Sequence, residues 1–431
     1  MMQVNLENKT VTVSGSNKTK FEVPYDKLVI AVGANVNTFG IPGVKQHCFF
    51  MKNVSDAIGI RNKLIDLFEK ANLPTTSQKE KNRLLSFVVV GAGPTGVETA
   101  AEISDFINED VPKYYKNIKA EDINITVLEG LDRILNTYDN KIAEYTENLF
   151  KRQNIKIIKK AMVSEVNDGD IVYKDTANDK MVKIPYGLCV WSGGIGVNPF
   201  VRRFMDNIPE QENSRALLID SRLRVKGTSD IYALGDCSSI DLPRIKKAAL
   251  DLFKQADKDG SNSISFEELS ELVDVVDKHH PQVGLHFRYI KEIFQTYDKD
   301  KDGMLSMPEF TSMLEEVDKK LKTIPATAQV ATQQGVYLAR KLNELSETKF
   351  TQAEVEMTPF RYHHLGSLVY IGEDQASIDF GGDLSMSGYS TYWLWRSIYL
   401  SELVSMRTRM LVGFDWFKKF VFGRDISHVT Q

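Results

Sequence analysis

Cysteine is scarce in this chain. Cys48, Cys189 and Cys237 are the only three among 431 residues, far apart in sequence and without a C-x-x-C or similar spacing. That argues against a disulfide framework, against a zinc site, and against catalysts that need a redox-active cysteine pair. Long apolar runs are missing as well: no stretch approaches the ~18 consecutive apolar residues of a membrane-crossing helix. Positive charge is not in excess, and a net charge of −4 excludes a generally basic nucleic-acid binder. The opening Met1-Met2-Gln3-Val4-Asn5 is neither a signal peptide nor an Arg-rich transit peptide. What is there, 42% hydrophobic and 26% charged residues, describes a folded soluble or peripheral protein. The length is too great for one ordinary domain, and about two to four units are expected.

The chain is organised around Leu85 to Glu102. The run Ser86-Phe87-Val88-Val89-Val90 reads as a buried parallel strand. It leads into G-x-G-x-x-G and then an Ala/Glu-rich helical segment. Gly91 allows the tight turn, Gly93 leaves the backbone open to a pyrophosphate, and Gly96 lets helix and strand pack closely. The helix N-terminus points free N–H groups at the phosphates. A second strand, Ile125-Thr126-Val127-Leu128, ends in Glu129, where an acid can bond the ribose hydroxyls and repel a 2′-phosphate. Glu129 lies beyond the usual ~20 residues, and a polar insertion from Asn108 to Asp122 accounts for the excess. The reading is a dinucleotide site that prefers NADH.

Two more strands end at chemistry. Leu28 to Val32 finishes in Gly33, where a backbone can turn close to a cofactor, and Ile231 to Leu234 finishes in Gly235-Asp236. A carboxylate there faces the crevice where ligands bind in such sheets; in flavoproteins with two nucleotide domains it bonds the flavin's ribityl and pyrophosphate region. A strand-terminating turn is the plainer alternative. Between these landmarks the pattern predicts a helix over Asn53–Ala71, a lysine-rich linker over Thr75–Arg83, a helix over Ile142–Phe150 and a strand over Ile155–Ile158.

From Leu242 to about Lys322 the character changes. Asp257 to Glu268 fits a calcium-binding EF-hand loop, with side-chain oxygens from Asp257, Asp259 and Ser261, the backbone carbonyl of Ser263, Ser265 through water, and bidentate Glu268. Asn262 replaces the usual glycine and tolerates the left-handed turn. Asp298 to Glu309 is a fuller match, with Asp298, Asp300, Asp302, the Met304 carbonyl and Glu309 as ligands and Gly303 at the turn. Ile264 and Leu305 should pair the loops back to back, and Ile245, Leu252, Phe253, Ile293 and Phe294 mark flanking amphipathic helices. Four acids in the second loop predict the tighter site.

Ile324-Pro325 should open a small-residue helix that carries Gln329 and Gln333 one turn apart. The plain reading is a tightly packed helix with exposed amides. Strands follow near Leu368–Gly372 and Ala376–Phe380. The tail, Tyr389 to Phe422, is dense in aromatic and aliphatic residues, among them Trp393, Trp395, Phe414, Trp416 and Phe420. Arg396, Arg407, Arg409, Lys418, Lys419 and Arg424 interrupt it. That suits helices lying in a membrane interface, with cations meeting headgroups; a homodimer interface or a buried helix pair is the alternative.

Taken together, these motifs resemble the type II NADH dehydrogenases, single-subunit NADH:quinone oxidoreductases that do not pump protons. The likeness is greatest to the calcium-regulated subgroup of plant and fungal mitochondria. Matching segments are Tyr25–Gly33, Gly40–Val44, Gly91–Glu102, Tyr232–Asp236, Ala328–Gly335 and Gly366–Gly372, together with the tail. The resemblance implies an α/β flavoprotein with two dinucleotide-binding domains, an inserted EF-hand pair and an amphipathic membrane anchor. Expected boundaries are 1–82 and 199–241 for the FAD-binding domain, 83–198 for the NADH domain, 242–323 for the EF-hand insert, 324–388 for the flavin and quinone side, and 389–431 for the anchor. It implies hydride transfer from NADH to FAD and then two electrons to ubiquinone, with Gln329 and Gln333 lining the quinone tunnel. Glu98 would organise the nicotinamide side or relay a proton. Family members carry an earlier G-x-G-x-x-G for FAD that this sequence lacks, and truncation is the expected reason. The implied location is the mitochondrial inner membrane, peripheral, on the intermembrane-space face. Two alternatives stand beside this: an NADH-dependent reductase of a protein partner, and a calcium-sensing nucleotide-binding scaffold without catalysis.

Overall fold

The structure is a computed structural model and describes residues 3–15, 17–212, 215–241, 249–279, 290–320, 324–347, 358–380, 384–403 and 405–427. Ile245, expected to precede the first calcium loop, lies outside them. The chain folds into two compact units, Met1–Ala34 with Val197–His363 and Asn35–Gly196 with His364–Gln431.

The second unit is built on a five-stranded parallel sheet in the order Phe49–Phe50, Leu188–Trp191, Ser86–Val90, Asn124–Leu128, Ile155–Ile158. Its strands are apolar because they are covered on both faces. Phe87 and Val89 pack with Leu64, Leu67 and Phe68 of helix Val54–Asn72 and with Val97 and Ala100 of helix Pro94–Glu109. Helix Val54–Asn72 begins with a capping box in which Asn53 and Asp56 bond each other's backbone N–H groups. This packing explains why contacts draw the unit boundary at Asn35 and not near residue 83, where the motif alone suggests it. The expected linker over Thr75–Arg83 is in part a helix, Gln78–Leu84, because Ser77 caps it by accepting from Glu80 N–H. The carboxy-terminal segment adds an antiparallel sheet, Ser367–Gly372, Gln375–Asp379 and Ser385–Gly388, and helices Tyr389–Glu402 and Met406–Phe422.

Sequence distance also misleads about two of the cysteines. Cys48 and Cys189, 141 positions apart, have their sulfurs 3.4 Å from each other.

In the first unit, strands Leu28–Ile30 and Ile231–Ala233 run parallel, with Leu28 opposite Ile231. Around them lie a second parallel pair (Leu217–Ile219 with Ser238–Ile240), a three-stranded antiparallel sheet beginning at Gln3, and helix Ala328–Glu347. That helix starts after Pro325, which stays outside it. The EF-hand segment has its own core, with Phe253 edge-on to Phe310 and Ile264 and Leu305 fully buried. Ile264 sits opposite Leu305 in the short strand pair that joins the two loops.

Candidate functional site

The glycine turn shows why Gly91 and Gly96 must be glycine. Gly91 has φ +96°, and a Cβ on it would come within 3.0 Å of Gly193 N. At Gly96 a Cβ would lie 1.8 Å from the carbonyl oxygen of Gly91, so only hydrogen fits where helix meets strand. At Gly93 the space is open, with nothing within 4 Å of the added carbon. Gly93 caps helix Pro94–Glu109, whose first-turn N–H groups lack intrahelical acceptors. A tight turn, a close packing contact and an open helix N-terminus suit a pyrophosphate. Glu129 ends the neighbouring strand and folds onto this turn: one carboxylate oxygen accepts from Ala92 N–H at 2.6 Å, the other from Leu131 N–H at 2.9 Å. The acid is thus fixed beside the glycine loop, where a ribose would lie.

Gly33 (φ +64°) and Gly235 (φ +72°) follow the parallel pair Leu28–Ile30 and Ile231–Ala233 at the same carboxyl end. Asp236 follows Gly235 in a short turn. Open space at Gly33, where an added Cβ would meet nothing within 4 Å, is compatible with a flat cofactor against the backbone. Gln334, a residue the sequence pattern did not single out, accepts from Gly235 N–H at 2.8 Å and is only 3% exposed. It holds the Gly-Asp turn against helix Ala328–Glu347. Its signal was its place beside Gln333 within the matching segment Ala328–Gly335.

Gln329 and Gln333 do not stand as exposed amides. Gln329 accepts from the Tyr362 hydroxyl at 2.6 Å. Gln333 donates to the His363 carbonyl at 2.8 Å and accepts from its N–H at 2.9 Å, pairing with the backbone as a strand would. Both therefore clamp the segment at Tyr362–His363.

Glu98 sits one turn into the glycine-loop helix on the wall of a cavity of about 410 Å³, with Thr95, Glu102, Ile103, Trp395 and Arg424. Its carboxylate accepts from Tyr370 N–H at 3.1 Å. Burial pushes its titration up to about 7, the Tyr370 bond pulls it back, and Glu102 adds a little repulsion. A carboxyl poised near neutrality can hold or release a proton. Three turns of the same helix tie the carboxy-terminal segment down. Buried Asp105 accepts from the Tyr370 hydroxyl and from Glu373 N–H, and Arg424 reaches Glu102, Glu109 and Asp110.

In the calcium segment, carboxylate oxygens of Asp257, Asp259 and Glu268 lie within 4.8 Å of one another, as do those of Asp298, Asp300 and Asp302. Asn262 (φ +62°) and Gly303 (φ +81°) make the sharp turns. Ser261 donates to the Ser263 carbonyl, and Ser263 and Met304 stand in the short strand pair that joins the loops. Glu309 is held by Lys299 N–H and by the N–H and hydroxyl of Ser306; Glu268 is held in the same way by Lys258 and Ser265. One Asp298 oxygen is buried without a partner. Asp302 N–H draws Asp300 down, yet desolvation and the charges of Asp302, Glu309 and Asp298 leave it above its ordinary value. An orphaned oxygen and crowded like charges are what a divalent cation relieves.

The tail divides its residues differently from the expected membrane face. Trp395 turns inward, stacked on Tyr392 and close to Tyr370. Arg396 lies 4.0 Å from the Trp416 ring centre, and Arg409 donates to the carbonyls of Ser401 and Leu403 at the end of the preceding helix. With Arg424 and Lys419 paired to carboxylates at the glycine-loop helix, four of the six cations expected at headgroups reach other parts of the fold. Outward remain Met406, Met410, Phe414, Phe417 and Val421, one helical stripe of side chains at least half exposed, with Phe420 88% exposed beside it. Among the described residues no helix is long and apolar enough to cross a membrane.

Comparison with known proteins places the chain in a family. The family described as pyridine nucleotide-disulphide oxidoreductase matches residues 1–260, an EF-hand domain pair matches 246–315, and the NDH2 C-terminal domain matches 364–425. The mitochondrial external alternative NAD(P)H-ubiquinone oxidoreductase B1 of Solanum tuberosum is 42% identical over 99% of this chain and 77% of its own. The corresponding B2 protein of Arabidopsis thaliana is 44% identical over 97% and 74%. Among solved structures, NDH2 of Plasmodium falciparum in complex with NADH superimposes with a TM-score of 0.86 at 32% identity, covering 98% of this chain and 83% of that one. The sulfide:quinone oxidoreductase of Aquifex aeolicus, at TM-score 0.56 and 12% identity, shares the fold alone. This chain belongs to the pyridine nucleotide-disulphide oxidoreductases, in the type II NADH dehydrogenase branch that carries an EF-hand pair and an NDH2 C-terminal domain.

Proposed function

We propose that this protein is a calcium-regulated, FAD-dependent NADH:ubiquinone oxidoreductase that acts on the mitochondrial inner membrane, on its intermembrane-space face. The observation that carries the reading is the glycine turn, closed to a Cβ at Gly96 and open at Gly93, with Glu129 pinned beside it. Flavin, when bound, supplies a hydride acceptor for NADH and a two-electron donor for quinone. The chain's own residues do the positioning. The helix N-terminus at Gly93 holds the NADH pyrophosphate, and Glu129 selects the unphosphorylated ribose. Gly33, Gly235 and Asp236 form the flavin contact, with Gln334 fixing the Gly-Asp turn. Gln329 and Gln333 shape the quinone wall by holding Tyr362 and His363, and Glu98, poised near neutrality, takes up or releases a proton on its carboxyl.

The exposed stripe on helix Met406–Phe422 supports peripheral membrane attachment, its aromatic side chains reaching the headgroup boundary. The same stripe can serve a homodimer. Because Trp395 packs on the core beside Tyr392, removing the tail from Trp393 would open the interior; replacing Phe414, Phe417 and Phe420 by Ser tests the stripe alone. The triple variant should lose liposome binding and ubiquinone reduction yet keep NADH:ferricyanide activity. The calcium claim is tested by ubiquinone reduction at fixed NADH across buffered free calcium. An activity that ignores calcium would remove the regulatory part of the proposal.

A further inference from the structure

Cys48 follows the short helix Val44–His47, donates its N–H to the Val44 carbonyl, and directly precedes strand Phe49–Phe50. Cys189 lies in the neighbouring strand Leu188–Trp191. These strands are parallel, with Val190 opposite Phe49 and Trp191 opposite Phe50, which puts Cys189 opposite Cys48. Their sulfurs are 3.4 Å apart, and both cysteines belong to the second unit. Neighbouring strands run ~4.8 Å apart, inside the span a disulfide bridges between Cα atoms. The sulfurs need only close to about 2.05 Å.

We propose that Cys48 and Cys189 form a reversible redox pair that closes to an intramolecular disulfide. The two thiols are unequal. Cys189 is 1% exposed, packed among Val44, Val88 and Trp191, whereas Cys48 is only partly buried. The hydrogen bond with Cys48 and burial push the Cys189 thiol well up, so Cys48 reacts first and Cys189 resolves. With a small-molecule disulfide as oxidant, the Cys48 thiolate attacks one of its sulfurs, forming a mixed disulfide and releasing one thiolate. Cys189 then gives up its proton and attacks Cys48 Sγ, forming the protein disulfide and expelling the second thiolate. Two protein thiols are oxidised, one small disulfide is reduced, and the thiol protons pass to the leaving thiolates.

The bond would form where two connecting segments already run side by side. Strand Asn35–Val36 pairs with Ile195–Gly196, and the Trp191 indole donates to the Asn37 carbonyl at 3.0 Å. A covalent link at Cys48–Cys189 staples both segments to the nucleotide sheet. Cys237 takes no part: it lies in the first unit, 3% exposed, with its thiol on the Ile30 and Leu234 carbonyls.

The test uses the whole purified chain, reduced and then treated with diamide, an azo oxidant that takes up the two hydrogens, followed by denaturation, alkylation and peptide mapping. Wild type should fall from three alkylated cysteines to one, Cys237, with Cys48 and Cys189 recovered in one linked peptide and all three restored by dithiothreitol. Cys48→Ala and, independently, Cys189→Ala should each keep both remaining thiols alkylatable under the same treatment. Amide exchange at Phe49, Phe50 and Trp191 should slow on oxidation of wild type. Three alkylatable thiols throughout, a link that includes Cys237, or a link between molecules would each overturn the proposal.

Discussion

Replacing Arg424 by Met keeps a side chain of similar length and removes the guanidinium. That group meets Glu109 at 2.7 Å, Asp110 at 3.0 Å and Glu102 at 3.3 Å. The three pairs do not weigh the same. The Glu102 and Glu109 side chains are 56% and 44% exposed, and such pairs contribute at most about 1 kcal/mol each. The Asp110 side chain is 2% exposed, and among the described residues it keeps only the Lys113 ammonium, at 3.5 Å, once Arg424 is gone. Breaking a buried pair costs about 3–5 kcal/mol; the retained lysine and the partial access of solvent to Arg424 reduce this to about 2–3 kcal/mol. The cost falls on the docking of helix Met406–Phe422 against the glycine-loop helix, where Lys419 near Glu109 is the remaining ionic contact among the described residues. Hydrogen exchange reads it directly. Amides of residues 406–422 should exchange about 30- to 150-fold faster in the Met variant, while those of strand Ser86–Val90 stay unchanged. Arg424→Lys should fall between, because a single ammonium cannot span three carboxylates. Wild-type exchange over 406–422 in the Met variant would show that the buried Asp110 does not govern the docking.

Three other outcomes follow from the same geometry. Glu98 titrates near 7 in the folded chain against about 4.3 unfolded, so its contribution to stability is whole below about pH 4 and is lost as pH rises toward 7. Glu98→Gln should therefore gain about 3 kcal/mol over wild type at pH 8 and nothing at pH 4 in urea unfolding, with a flatter pH profile of quinone reduction; equal gains at both pH values would contradict the buried-carboxyl account. Gly93→Ala, with open space around its new Cβ, should change stability by less than about 1 kcal/mol yet weaken NADH binding. Gly96→Ala, driven against the Gly91 carbonyl, should lose both, and calorimetry with NADH titration separates the two variants. In the calcium segment, Glu309→Gln should remove the tighter of two binding steps and Glu268→Gln the weaker, read by calorimetric titration; the reverse order would refute the ranking by ligand charge.

What the sequence determined by itself was local. Gly91, Gly93 and Gly96 sit within one turn, and each calcium loop is twelve consecutive residues, so their chemistry is written in spacing. The pairing of Ile264 with Leu305 was legible because the position-8 residues of two such loops have few other partners. Helix periodicity placed Val54–Asn72 and Asn140–Arg152 to within a few residues. Contacts across long separations were another matter. Gln334 reaches Gly235 over 99 positions, Cys48 meets Cys189 over 141, and Arg424 finds Asp110 over 314. Each depends on sheet register or helix docking, which no spacing encodes. Trp393 and Trp395 look alike in a hydrophobic tail, yet one faces out and the other stacks on Tyr392, because two residues along a helix turn the side chain by about 200°. Local backbone demands select residue types one turn at a time, and they can be read in a line. Which distant side chains share a low-dielectric interior, and so which charges must be paired and which thiols touch, is decided only when the layers pack.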